Sequence, residues 1–239
     1  MLDSKTGQGN LTQGFSLRGA MIVQNLAHPH HRIDQRDGVH GNHTGISGRQ
    51  RIVPALDEGD VLLEKRTPIG PRETAGDLFD RLSVLGGEAA VEALDRLESG
   101  DAVFTPQDHD QATYAKKLQK TDGRIDWNRT RDEVDRLIRG VTPWPGARTS
   151  FVQKKGHKEL VIFEVATIEL DELDPQGQML ASRGAPGTVL EADKRLVVMA
   201  GDAPLVIERL KPAGKQAMDG ASFLRGARLE AGTRLGGRT

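Results

Sequence analysis

The chain has 239 residues, 36% of them hydrophobic and 28% charged, with a formal net charge of −1, which fits two small domains with modest cores better than one large one. It contains no cysteine, so disulfides, thiolate metal sites and thiol nucleophiles are excluded and any chemistry falls to oxygen and nitrogen groups. No stretch is apolar enough to cross a bilayer, and the start Met1-Leu2-Asp3-Ser4-Lys5-Thr6-Gly7 lacks the layout of a signal peptide, so a cytoplasmic protein with no membrane partner is expected.

Residues 1–50 carry the least structural signal. They are rich in Gly, Gln, Asn and His, offer only Gly19-Ala20-Met21-Ile22-Val23 as a short strand, and are expected to be poorly ordered. Val61-Leu62-Leu63 then reads as a strand leaving a loop before Pro68 and Pro71. A helix follows, with Thr74 as its cap, Asp77 three residues on, and Leu78, Leu82 and Leu85 on one face. Gly86-Gly87 is expected to break it. A second helix is predicted from Glu88 to Ser99, with Val91, Leu94 and Leu97 as its apolar stripe and Gly100 as its stop. Residues 101–123 are polar and aperiodic, as in an interdomain connection. A third helix is predicted over Arg131–Gly140, and Pro143 and Pro145 forbid its continuation. Five β-prone segments follow, at 149–153, 159–169, 187–192, 196–200 and 204–210, which suggests a small closed barrel. A short helix around Gly220 to Ala227 precedes a Gly-rich tail.

Charge is divided unevenly along the chain. Residues 1–110 hold 11 basic and 17 acidic residues, net −6, whereas residues 111–239 hold 22 and 17, net +5. A basic half beside an acidic one is expected when one domain meets a phosphate backbone. The candidates are Lys116, Lys117 and Lys120 on the connection, Arg148, Lys154, Lys155 and Lys158 around the first hairpin, and Arg209, Lys211 and Lys215 at a later turn. Trp127 and Trp144 sit in motifs expected to pack the domain rather than to meet bases. Upstream, Leu56-Asp57-Glu58-Gly59-Asp60 places three carboxylates within four residues, with Gly59 free to turn. Such an acidic turn is ordinarily just solvated. His28, His30, His31, His40 and His43 follow no ligand spacing, so no metal is expected.

Four short motifs decide among these readings. They are Ala55-Leu56-Asp57-Glu58-Gly59-Asp60, Thr113-Tyr114-Ala115-Lys116-Lys117-Leu118, Gly123-Arg124-Ile125-Asp126-Trp127 and Pro143-Trp144-Pro145-Gly146-Ala147. In this order and near this spacing, over roughly residues 51–236, the chain resembles methionyl-tRNA formyltransferase. The resemblance implies an α+β or α/β chain: a partial, Rossmann-like formyltransferase domain, then a small OB-like β-barrel that binds tRNA. The expected parts are an atypical segment 1–50, a catalytic-domain remnant 51–106, a connector 107–122 and the barrel domain 123–239.

The activity implied is transfer of a formyl group from 10-formyltetrahydrofolate to the amine of initiator methionyl-tRNA, by a monomer without metal. By the same resemblance Asp57 takes the catalytic Asp position, and Leu56, Gly59 and Asp60 line the formyl-folate pocket. The family pairs that Asp with an Asn-x-His and a Ser-Leu-Leu-Pro turn; this sequence has neither, and Asn42-His43 are adjacent. A truncated chain with impaired activity is therefore expected. The alternative is a catalytically inactive RNA-binding or vestigial module that retains the barrel.

Overall fold

The computed structural model describes residues 59–108, 110, 115–153 and 156–236, and in it the chain divides into two units. The described part of the first unit comprises 59–69 and 79–116; that of the second comprises 70–78 and 117–236. The expectations for residues 1–50 lie outside the described residues.

In the first unit, the strand expected at Val61-Leu62-Leu63 is replaced by isolated bridge residues, of which Val61 pairs antiparallel with Thr105. Val61 N donates to Thr105 O at 2.8 Å and Thr105 N to Val61 O at 2.9 Å. Glu64 is also a bridge residue, but no ladder of the kind that defines a strand forms here among the described residues.

Helix α1, Ala75–Ser99, is one continuous helix of 25 residues, not two. Thr74 and Asp77 cap it reciprocally: Asp77 N donates to Thr74 Oγ1 at 3.2 Å, and Thr74 N donates to Asp77 Oδ2 at 3.0 Å. Gly86-Gly87 does not break it, because glycine in a helix interior costs only about 1 kcal/mol per residue and the cap plus the buried face offset that. Gly86 itself is buried, and Gly100, with φ of +80°, ends the run. The apolar stripe also differs from expectation. Ala93 is buried, whereas Val91, Leu94 and Leu97 are 61%, 65% and 50% exposed.

Most of the core lies in the second unit. Helix α2, Arg131–Gly140, is capped by Thr130, whose side chain accepts from Glu133 N, and it buries Val134 and Ile138. The following strands are β1 Ala147–Gln153, β2 Gly156–Thr167, β3 Val189–Ala192, β4 Leu196–Met199, β5 Pro204–Pro212 and β6 Met218–Asp219. Helix α3, Pro175–Ser182, separates β2 from β3, and helix α4, Gly220–Ala227, follows β6. All strand pairs are antiparallel, in the order β1-β2-β5-β4-β3 with β6 beside β5.

The inner face of this sheet, α2 and α4 share one core that joins Phe151, Ile162, Val189, Leu205 and Phe223. A smaller cluster of Ile168, Leu173, Leu190, Val197 and Met199 lies on the other face of β3 and β4, with Leu180 and Ala181 of α3 packed against it. That explains why Leu196-Val197-Val198-Met199 is apolar without alternation: both of its faces are covered. The sheet is a curled, open one among the described residues. Its end strands β1 and β3 do not pair with each other, so the closed barrel is replaced by a half-barrel, across whose open side residues 232–236 run, Gly232 N donating to Val189 O and Gly236 N to Ser150 O, each at 2.8 Å.

Candidate nucleic-acid interface

Two of the diagnostic motifs pack directly on each other. Ile125 N donates to Arg148 O at 2.9 Å, Arg124 bridges Arg148 in parallel, and Gly123 lies against the carbonyl of Gly146 so closely that a side chain there would collide with it. Trp127 fills the core beneath, 3% exposed, with its indole Nε1–H donated to Thr149 Oγ1 at 3.0 Å. Gly146 adopts φ of +83° and its N donates to Val141 O at 2.8 Å, which closes the proline turn after α2. The peptide bonds before Pro143 and Pro145 are cis.

Register fixes where the basic residues go. Arg148 pairs with Val161 and Val161 with Lys211, so Arg148 and Lys211 lie in one row across β1, β2 and β5. One step beyond the Leu160–Pro212 pair, Ala213 N donates to Glu159 O at 3.1 Å and leads into the turn carrying Lys215, whereas Lys158, paired with the buried Phe151, alternates to the other face of β2 from Val161. Lys158, Lys211 and Lys215 are exposed and form no ion pair among the described residues. Arg148 is more constrained: its guanidinium lies 3.3 Å from Glu159, and its Nε is buried without a hydrogen-bond partner among the described residues. Lys117 and Lys120 are exposed, Lys120 at the start of a one-turn 3₁₀ segment, Lys120–Gly123. Lys116 is exposed in the first unit. Arg209 is exposed on β5 opposite Glu164 and Asp219. Lys154 and Lys155 lie outside the described residues.

Asp57 and Leu56 also lie outside the described residues. Gly59 and Asp60 are described in the first unit, where Gly59 O accepts from Gln107 Nε2 at 2.6 Å and Asp60 is exposed. Within the second unit an open cavity of about 450 Å³ lies between the start of α1, α2, β2 and β5. Its charges are largely satisfied by one another. Asp135 is 3.3 Å from Arg72 and 3.0 Å from Arg139, with side chains of Asp135 and Arg139 mostly buried. Neither Gly59 nor Asp60 lines this cavity. Among the described residues no group of His, Asp and Glu could hold a metal ion, and no helix is long and apolar enough to cross a membrane.

One sequence expectation fails here. Trp144 does not pack the domain; it is 54% exposed, although Pro145 and Gly146 after it are buried. The signal that separated it from Trp127 was the alternation Ile125 in, Asp126 out, Trp127 in, which Trp144 lacks between its two prolines.

An open antiparallel half-barrel, entered through a capped helix and a Pro-Trp-Pro-Gly turn, defines a class: residues 117–228 match the family model of the formyl transferase C-terminal domain. More particularly, the chain is a relative of the methionyl-tRNA formyltransferases. It is 41% identical over 182 residues to that of Nitratidesulfovibrio vulgaris strain DP4, covering 75% of this chain and 52% of the relative. To that of Parvibaculum lavamentivorans it is 40% identical over 193 residues, covering 79% and 57%. The chain thus spans about half the length of the curated relatives it matches. Among solved structures, HypX from Aquifex aeolicus in complex with tetrahydrofolic acid shares the fold, with a TM-score of 0.52 and 23% identity over 73% of this chain and 29% of that one.

Proposed function

We propose that this chain serves methionyl-tRNA formyl transfer, with the second unit as the part that engages the initiator tRNA. The observation that carries the reading is the row of Arg148 and Lys211 that strand register forms across β1, β2 and β5, with Lys215 in the turn after β5 and Lys158 near the start of β2, the three lysines without an ion pair among the described residues. Exposed lysines without an ion pair attract a phosphate backbone and release its counterions. Lys117 and Lys120 extend the footprint along the connector, and Lys154, Lys155 and Lys116 belong to it by sequence. The curled antiparallel sheet supports the same use, since sheets of this kind and their turns can hold nucleic acid.

The upstream residues carry the chemical share of the reading. An amine attacking the formyl carbon of 10-formyltetrahydrofolate builds a tetrahedral oxyanion and must shed a proton. Asp57 supplies a carboxylate for that site, and Leu56, Gly59 and Asp60 belong to the folate side of it, in a Rossmann-like remnant over 51–106. The sequence holds no Asn-x-His for Asp57 to orient, so no catalytic step is assigned to this chain alone.

Binding of initiator tRNA to the full chain, followed by gel shift, tests the reading. Reversing Lys211 and Lys215 to Glu is expected to weaken binding at least tenfold, on all tRNAs alike, because phosphate contacts carry no sequence information. Undiminished binding by the double variant contradicts the proposed surface.

A further inference from the structure

The least economical feature of the second unit is Trp144. A tryptophan carries one of the largest apolar surfaces of any side chain, and leaving half of it in water forgoes the stabilisation that burial provides. The exposure is not a consequence of a loose loop. Thr142 Oγ1 donates to Ile138 O at 2.7 Å, Thr142 O accepts from Gly76 N at 3.0 Å, and Gly146 N donates to Val141 O at 2.8 Å. Pro143 and Pro145 fix φ on either side. The indole is therefore presented outward by backbone that is held on both flanks.

Basic residues flank it, one of which, Arg148, is also 3.3 Å from Glu159. The Arg148 guanidinium reaches Pro145 O at 3.4 Å, one residue beyond Trp144, and Arg124 bridges Arg148. Lys211 continues the row across the sheet. An exposed aromatic face beside a line of cations is what a single-stranded nucleic acid requires: a surface for a base to stack on and charges that track its backbone.

We propose that Trp144 is a stacking platform for an unpaired nucleobase of bound RNA, with Arg148 and Arg124 flanking the adjoining phosphates. This rests on the tRNA reading above and adds to it a single residue that contacts a base rather than the backbone.

The chain's two tryptophans make the test direct, since Trp127 is 3% exposed and Trp144 54%. The full chain is titrated with initiator tRNA bearing its single-stranded 3′ end and, separately, with heparin, a polyanion without bases, while emission is recorded. The tRNA is expected to quench the exposed tryptophan, and heparin to bind without quenching. Trp144→Ala should weaken tRNA binding about tenfold with an unchanged salt dependence, and Trp144→Phe should recover part of the loss. Trp127 emission reports that each variant is folded. Binding of tRNA with unaltered emission and full affinity of Trp144→Ala overturns the stacking role while leaving the basic surface standing. Equal quenching by heparin also overturns it, and no binding of either polyanion overturns both readings.

Discussion

Two tryptophans illustrate how far single residues can be read from sequence. Trp127 falls on a buried alternation and closes a hydrogen bond inside the core; Trp144 falls between prolines, where periodicity is silent and only the three-dimensional path of the turn decides exposure. Thr149→Val should therefore cost about 1–3 kcal/mol, because it leaves the buried Trp127 N–H without an acceptor, and urea denaturation would measure it. Ile138→Ala should cost more, about 2–5 kcal/mol, from a fully buried site on α2.

The capping carboxylates act at the same scale. Hydrogen bonds from Ser222 hold Asp219 below its ordinary value of 3.8, and those from Thr130 hold Glu133 below 4.5. A carboxylate whose folded pKa is depressed stabilises the protein above its unfolded pKa, and that contribution is lost as pH falls through the folded one. Tm should thus hold steady from neutral pH to about 5 and decline below about 4.5, measured by calorimetry; Asp219→Asn should flatten the decline. For Asp57, where the sequence alone speaks, no formylation of methionyl-tRNA by the purified chain is expected, since losing even one oxyanion donor costs about 10²–10³ in rate. Turnover that Asp57→Asn abolishes would contradict this.

Elements were legible wherever caps and breakers agreed with periodicity. Thr130 with Glu133, and Asp219 with Ser222, mark α2 and α4 at the boundaries the sequence suggests, and the five long strands fall within a few residues of their β-prone segments. α3 lies outside the helices the periodicity predicts, although Asp174-Pro175 is a capping residue followed by proline at the first helical position. Paired glycines usually punctuate a chain, yet α1 runs through this pair, with Gly86 buried and Gly87 exposed. A Cβ on Gly87 would meet nothing, so Gly87→Ala should stabilise α1 by about 0.5–1 kcal/mol, visible as a higher Tm. Leu94→Gln should change stability by less than about 0.5 kcal/mol, since that leucine is 65% exposed.

For the whole molecule, the order of motifs was enough to find the relatives, and the strand count to foresee an antiparallel β domain. Closure was not legible. Whether β1 meets β3 depends on strand order and curl, and both are set by pairings between residues far apart in sequence, such as Val165 with Ile207. The gathering of Arg148 with Lys211 was hidden for the same reason, as 63 positions separate them in the chain and only Val161 lies between them in the sheet.

The lysines around that row are also where the functional reading is most exposed to test. The measurement is the slope of the logarithm of tRNA affinity against the logarithm of salt concentration, for the full chain and for the variant with Lys158, Lys211 and Lys215 all changed to Ala. Three lost phosphate contacts should make the slope shallower by about 2–3 units. An unchanged slope in the triple variant would contradict the assignment of this surface to tRNA.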